Sequence, residues 1–273
     1  MRKRILLVFI RSIVKMQKTI IVSYSGGLGS FYAAHLCKTR YPEAEIKLVF
    51  TDTLIEDPDL YRFLRESAKA LNLELIEIAD GRTPWQVFKD VKLQGNSRIA
   101  PCSKILKRET FNKWLKENYP NGGFVVCLGI GWEESERLER AKINNPYEVI
   151  APLCDKPFLF PEDTLRIFHE YGLKRPRLYD LGFSHNNCGG FCVRAGLAHF
   201  KNLYEKLPEV YQRHEQEQES LIKKNPKLDK PFLKKTIKGK TEYLSLKTFR
   251  EKHLELNELE KNDFGGCGCF IDE

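Results

Sequence analysis

Two spacings of apolar residues alternate along the first half of this chain. The run TIIVSY (residues 19–24) opens continuously apolar, as a strand buried on both faces does, and GSFYAAHLCKTRYP (29–42) follows with helical spacing, closed by Pro42. EIKLVFTDT (45–53) is a second strand. The polar, proline-containing turn LIEDPDL (54–60) leads into a helix ending near Leu71, and LELIEIA (73–79) is a third strand. A helical stretch near Val87 to Lys92, a loop QGNSRIAPCS (94–103) and a helix KILKRETFNKWLKENY (104–119), with Ile105, Leu106, Phe111 and Leu115 as apolar anchors, precede a fourth strand in GGFVVCLGI (122–130). This order predicts an α/β fold, a doubly wound, mostly parallel sheet with helices on its faces.

Beyond Pro152 the pattern is more irregular and more helical. PEDTLRIFHEYGL (161–173), VRAGLAHFKNLYEKL (193–207), a charged segment from Glu209 to Lys224 and LKTFREKHLELNELEK (246–261) all carry helical spacing, and there is no internal repeat. The expected division is an N-terminal extension over 1–17, an α/β domain over 18–155, and a helical C-terminal region over 156–273 that bears cysteines and a lysine-rich segment.

The 273 residues, 42% hydrophobic and 30% charged, suit one large domain or one domain with an appendage. The N-terminus MRKRILLVFIRSIVKMQK superficially resembles a secretory signal. Arg11 interrupts its apolar run, Lys15 follows, and no small-residue cleavage site precedes the first strand. A cytoplasmic protein with no membrane partner is expected. Met16 leaves open an extension, residues 1–15, from an upstream start. The net charge of +8 owes +5 to Arg2, Lys3, Arg4, Arg11 and Lys15, so global charge does not itself point to nucleic acid. A local run does: residues 223–240, from Lys223 to Lys240, hold eight lysines against one aspartate. The run either follows a nucleic-acid phosphate backbone, with salt-dependent binding, or is a solvated surface.

The first strand ends in SYSGGLGS, residues Ser23 to Ser30. A glycine-rich turn between a parallel strand and a helix lets backbone N–H groups converge on a phosphate or pyrophosphate, with Ser25 and Ser30 as added donors. Gly26, Gly27 and Gly29 permit close approach, and Leu28 lies among them; the alternative is a plain tight turn. The stretch lacks the lysine and spacing of the common phosphate loop, and the Gly-x-Gly-x-x-Gly spacing of dinucleotide sites. Asp52, with Thr53, ends the second strand where ligands bind in doubly wound sheets; it either positions Mg²⁺ or nucleotide hydroxyls, or caps the following turn. In GIGWEESERLER (129–140), Gly129 begins a candidate pocket loop and Arg137, joined by Arg140, is placed to clamp phosphate or sulfate oxygens, with Glu134 or Glu136 fixing the guanidinium. Ordinary helical ion pairs such as Glu133 with Arg137 are the competing account. Lys104 and Lys107 are further anion-binding candidates.

Eight cysteines stand at 37, 102, 127, 154, 188, 192, 267 and 269, four of them in the close groups CGGFC and CGC. Without a secretion signal, metal or redox use of these groups is a stronger reading than disulfides. Cys188 and Cys192 form a pair able to grip one metal, and Cys267 or Cys269 is a candidate ligand returning from the tail. Four thiolates suit a [4Fe–4S] cluster or Zn²⁺, and chemistry alone barely separates the two.

SYSGGLGS resembles the Ser-Gly-Gly-x-Asp-Ser pyrophosphate loop of the adenine nucleotide α-hydrolase (PP-loop) superfamily. From about Lys18 to Val193 the chain is similar to the phosphoadenosine phosphosulfate reductase family, with SGGLGS, FTDTLIEDPD, PCSKILKRETF and GIGWEESERLER in order. RPRLYDLGFSHNNCGGFC resembles the region where iron–sulfur members place paired cysteines. The resemblance implies an adenine nucleotide, ATP or adenylyl sulfate, against Ser23 to Ser30, with Asp52, Thr53 and Gly129 to Arg137 bordering it. It favours iron–sulfur over zinc, adds Cys102 to Cys188, Cys192 and Cys267 as ligands, and makes Cys267 or Cys269 a candidate thiol that attacks sulfur. One departure is Gly29, where many members carry aspartate. Three functions follow. The first is an ATP- and Mg²⁺-dependent enzyme that activates an acceptor, tRNA or DNA, for iron–sulfur-dependent sulfur transfer. The second is reduction of adenylyl sulfate or phosphoadenylyl sulfate by a tail thiol and a thiol donor protein. The third is a non-enzymatic nucleotide or nucleic-acid-binding module.

Overall fold

The computed structural model describes residues 18–96, 98–228 and 231–257. Five strands form one sheet: β1 (Thr19–Ser23), β2 (Ile46–Asp52), β3 (Glu74–Ala79), β4 (Phe124–Cys127) and the two-residue β5 (Val149–Ile150). Their order is β3-β2-β1-β4-β5, and every neighbouring pair is parallel. Parallel pairing buries both faces, and the side chains divide by parity. Ile20, Val22, Leu48 and Phe50 pack on one face against α1 (Leu28–Arg40) and α2 (Pro58–Leu71). Ile21, Val49 and Val126 point to the other face, against Phe111 and Leu115 of α4 (Thr110–Asn118) and Leu138 and Ala141 of α5 (Ser135–Asn144). The fold class read from the sequence is therefore the one adopted.

Capping explains where the helices begin. Asp57 accepts from the Asp59 N–H at the head of α2, and Thr83 with Gln86 makes a reciprocal capping box ahead of α3 (Pro84–Val91). Two cysteines of the sheet domain are core residues: Cys37 on α1 and Cys127 on β4 are buried with their sulfurs 3.4 Å apart.

The C-terminal region packs around a separate apolar cluster. α6 (Pro161–Glu170) sends Ile167 into the core of α1 and α2, and a single turn, α7 (Arg177–Asp180), sits at the sheet's ligand edge. Phe183, Phe191, Phe200 and Phe249 then join Trp85 and Phe88 of α3 in the second cluster, built largely on α8 (Leu197–Lys206), α9 (Pro208–Lys224) and α10 (Leu246–Lys252). Two differences from the sequence expectation stand out. Within the lysine-rich segment and just beyond it, β6 (Leu233–Ile237) and β7 (Lys240–Leu244) form an antiparallel hairpin. Of the helix expected over 246–261, the described residues 246–257 are helical only over α10, which His253 closes, and the rest lie outside the described residues. The hairpin escaped the pattern because five of residues 233–244 are charged, and it enters the apolar cluster through Leu233 and Leu244 at its outer ends. Among the described residues no helix is long and apolar enough to cross a membrane.

A buried amide ladder joins this region to the rest. Gln94 Nε2 donates to the Leu228 carbonyl, Gln218 Nε2 donates to Gln94 Oε1, and the Leu246 N–H donates to Gln218 Oε1, at 2.7, 2.8 and 2.7 Å. Gln218→Leu should orphan the Gln94 oxygen and the Leu246 N–H together. The expected loss is about 2–4 kcal/mol, from about 1–3 kcal/mol per orphaned group, read from the urea midpoint.

Candidate active site

The strand order reverses between β1 and β4, and a crevice opens at their carboxyl ends, where ligands bind in open α/β sheets. A cavity of about 390 Å³ lies there, bordered by the β1–α1 loop, the ends of β2 and β4, and the loop residues Ser184, His185, Asn186 and Asn187. α1 points its N-terminus into this space. Gly27 is its N-cap, no side chain caps it, and its first turn has no acidic residue, so its leading N–H groups are suited to an anion.

Glycine is required in the loop for two different reasons. Gly26 has φ +72°, and a Cβ there would also press on Leu60. At Gly29 the constraint is backbone against backbone: a Cβ would lie 2.9 Å from the Gly129 carbonyl oxygen, and a Cβ on Gly129 would lie 2.6 Å from the Ser30 nitrogen. The β1–α1 and β4 loops therefore touch at this position. Ser30 Oγ donates to the Gly27 carbonyl at 2.9 Å and accepts from the Ser25 N–H at 3.2 Å, which holds the turn closed.

Distant residues complete the wall. The Leu28 N–H donates to the Tyr179 hydroxyl at 3.2 Å, and Asn186 Nδ2 donates to the Gly26 carbonyl at 2.8 Å. Tyr179 sits on α7, which Arg177 anchors by a bidentate pair to the buried Asp57 at 2.8 and 2.7 Å. Glu56, also buried, accepts from Thr53 Oγ1 at 2.8 Å and from the Cys188 N–H, tying the end of β2 to the CGGFC loop. Burial pushes the Glu56 carboxyl up, and the Lys107 charge opposes that.

Lys107, Arg137 and Glu134 are the charged residues on the cavity wall, and Arg137 is ion-paired with Glu134. His185 contributes an uncharged imidazole: burial, with His199 and Lys107 nearby, pushes its pKa down to about 3. The Asn187 N–H donates to His185 Nδ1 at 3.4 Å, which leaves the ring proton on Nε2.

Of the sequence candidates, Ser23, Ser25, Gly27, Gly29, Ser30, Gly129 and Arg137 line this cavity, while Gly26 and Leu28 shape the loop from behind. Asp52 instead accepts from the Leu54 N–H at 2.7 Å and from the Tyr61 hydroxyl at 3.0 Å, the turn-capping alternative. Thr53 faces a neighbouring cavity, and Lys104 is exposed, 3.9 Å from Glu109. Sequence reasoning missed Tyr179, Ser184, His185 and Asn186. They lie beyond the sheet's motifs in an irregular stretch with no periodic pattern, and only the SHNN run of polar residues ahead of CGGFC marked it.

The metal expectation needs correction. Cys102, Cys188 and Cys192 border one cavity of about 30 Å³, beside the first and sharing Lys107 and Asn187 with it. That volume matches a single water molecule, not a four-iron cluster. Among the described residues no group of three or more His, Cys, Asp or Glu side chains is placed to hold a metal ion, so neither the [4Fe–4S] centre nor its zinc alternative stands. Cys267 and Cys269 lie outside the described residues.

Comparison with known proteins bears on the same region. Residues 19–145 match the phosphoadenosine phosphosulfate reductase domain. An uncharacterized nin region protein, ORF290 of Escherichia phage lambda, is 29% identical over 145 residues, 44% of this chain and 50% of that protein. An uncharacterized protein of Methanocaldococcus jannaschii is 22% identical over 74% of this chain and 42% of its own length. The phosphoadenosine 5'-phosphosulfate reductase of Cronobacter sakazakii is 28% identical over 60% of this chain and 66% of its own. The chain thus spans about half the length of the first two of these relatives. A crystal structure of phosphoadenylyl-sulfate reductase from Candida auris, a phosphate complex, aligns at 18% identity over 65% of this chain and 84% of that one, with a TM-score of 0.44. With the reductase domain matched and the cluster site unsupported, iron–sulfur-dependent sulfur transfer to an acceptor no longer stands as the leading function.

Two outcomes test this geometry. Gly29→Asp should force the two loops apart and weaken AMP binding at least about tenfold by calorimetry, since a backbone carbonyl cannot yield as a flexible side chain does. Acid should destabilise the fold. His185 and His214 are both held down to about 3 by burial, so the unfolded chain takes up protons below about pH 6.5 that the folded chain refuses. Stability should fall from pH 6.5 toward pH 3, by about 2 kcal/mol per histidine at pH 5. His214→Gln, whose amide oxygen can still accept from the Trp85 indole N–H, should flatten the urea-midpoint profile.

Proposed function

We propose that this chain, which carries a phosphoadenosine phosphosulfate reductase domain over residues 19–145, reduces a sulfonucleotide, adenylyl sulfate or its 3'-phosphorylated form, and releases sulfite. The observation that carries the reading is the contact of Gly29 with Gly129. It leaves no room for a carboxylate at the loop position where one would serve α-phosphate activation, and Glu134, the one carboxylate on the cavity wall among the described residues, is ion-paired with Arg137. Cleavage at sulfur rather than at the α-phosphate needs no such group.

In this scheme the α1 N-terminus and the Ser25 to Ser30 loop hold the phosphate, and Lys107 and Arg137 face the sulfonate. The neutral His185 offers an N–H without adding charge. A cysteine thiolate attacks the sulfur: an S–S bond forms, the bond from sulfur to the phosphate oxygen breaks, and the nucleotide leaves with that electron pair. A second thiol, from a donor molecule, then attacks the cysteine sulfur, forming a disulfide and freeing sulfite. Cys267 and Cys269 are the proposed nucleophiles, with residues 18–155 as the nucleotide-binding unit and 156–273 as the cysteine-bearing region. The lysine-rich segment has no step in this chemistry.

The test is sulfite release from each sulfonucleotide with dithiothreitol as donor. Sulfite should appear without ATP or Mg²⁺, and replacing both Cys267 and Cys269 by serine should abolish it while AMP still binds. Pyrophosphate release from ATP with no sulfite from either sulfonucleotide would overturn the reading.

A further inference from the structure

The β6–β7 hairpin is the largest feature that the nucleotide chemistry leaves unused. Its register pairs Leu233 with Leu244, Lys234 with Tyr243 and Thr236 with Thr241. Because successive strand side chains alternate, Leu233 and Leu244 lie on one face and Lys234, Thr236, Thr241 and Tyr243 share the other. The first pair is buried in the C-terminal apolar cluster, which fixes the ribbon's orientation, and all four residues of the second face are exposed. Lys238 and Gly239 make the two-residue turn, both with positive φ, and put the Lys238 cation at the tip next to Lys240.

The composition of this outer face is selective. Tyr243 is 53% exposed, directly opposite Lys234, and the Thr236 and Thr241 hydroxyls lie 3.1 Å apart beside them. The one acidic residue of the hairpin, Glu242, pairs with Lys235 on the opposite parity. Among the described residues no carboxylate lies within ion-pair distance of Lys234, Lys238 or Lys240, although lysines elsewhere, such as Lys142 with Glu139 and Lys247 with Glu219, are so paired. A cationic ribbon alone would suit any polyanion. An aromatic ring held open among the cations adds a surface for the π-face of a base, which a duplex hides in its stack and an unpaired strand presents.

We propose that the outer face of the β6–β7 hairpin binds single-stranded nucleic acid, with Tyr243 stacking on a base and Lys234 and the turn residue Lys238 contacting the flanking phosphates. The binding is independent of the sulfonucleotide reading. Lys223, Lys224 and Lys227, all exposed at and just beyond the end of α9, extend the positive surface in sequence toward the hairpin.

Fluorescence anisotropy of the full chain with a 12-nucleotide single strand and with a duplex of the same length, across about 50–200 mM salt, tests this. The single strand should bind more tightly. Replacing Lys234 and Lys238 together by glutamine should reduce the slope of log K against log salt by about 1.4, near 0.7 per phosphate contact. Tyr243→Ala should weaken binding roughly five- to a hundredfold with the slope nearly unchanged, and Tyr243→Phe should restore it. All these side chains are exposed, so an unchanged thermal melt confirms folding of each variant. Three results would overturn the proposal: no binding of either oligonucleotide, binding insensitive to the lysine replacements, or equal binding of the duplex with Tyr243→Ala silent. An oligoglutamate bound as tightly as the single strand would do the same, because charge alone would then account for the surface. AMP affinity, measured on the same variants, reports separately on the nucleotide cavity.

Discussion

The candidate site depends on two backbones touching at Gly29 and Gly129. β1 and β4 are adjacent parallel strands whose following loops diverge to opposite sides of the sheet, and the crevice between them exists only where the chains separate. With no side chain on either glycine, the loops meet at the base of that crevice, and the open α1 N-terminus faces the remaining space. The same contact leaves no space for a side chain at position 29.

The far wall is assembled at longer range and held by buried polar links. Asp57 serves twice, capping α2 through the Asp59 N–H and receiving the Arg177 fork that fixes α7, so a local helix start also positions Tyr179 over the loop. Glu56, the residue before it, reaches the Cys188 N–H, and Gly189 makes that approach feasible because any Cβ there would strike the Ile55 carbonyl. Two neighbouring carboxylates at the end of β2 therefore clamp two separate segments of the C-terminal region. Buried charges used this way lose much if one partner is removed, which makes the Asp57–Arg177 pair a device for position more than for net stability.

The C-terminal region also shows how tightly fold and surface are coupled. Its apolar cluster draws Trp85 and Phe88 from the sheet domain, and the amide ladder through Gln94, Gln218 and Leu246 closes the same seam with satisfied polar groups. The cluster anchors the hairpin by Leu233 and Leu244, and that anchoring is what turns a run of lysines into a ribbon with a defined outward face.

The sheet and its helices were legible in the chain because their periods are local: continuous apolar runs for strands buried on both faces, helical spacing between them, and Asp57, Thr83 and the glycines as punctuation. The β1–α1 loop was legible as a glycine-rich strand-to-helix turn for the same reason. Asp52 was not decidable, since a carboxylate at a strand end serves a ligand or its own turn equally well in sequence, and the approach of Tyr61 and the Leu54 N–H is a tertiary event. The cysteines misled in a related way. Their spacing revealed thiols in groups, but whether they enclose a cluster or a water-sized gap depends on packing by Phe191, Val193 and their neighbours. By itself the sequence determined the α/β layering and the glycine-rich turn after the first strand, which follow from contacts close along the chain. Tertiary structure decided which distant side chains, Tyr179, His185 and Asn186 above all, close over that loop, because only long-range burial brings them there.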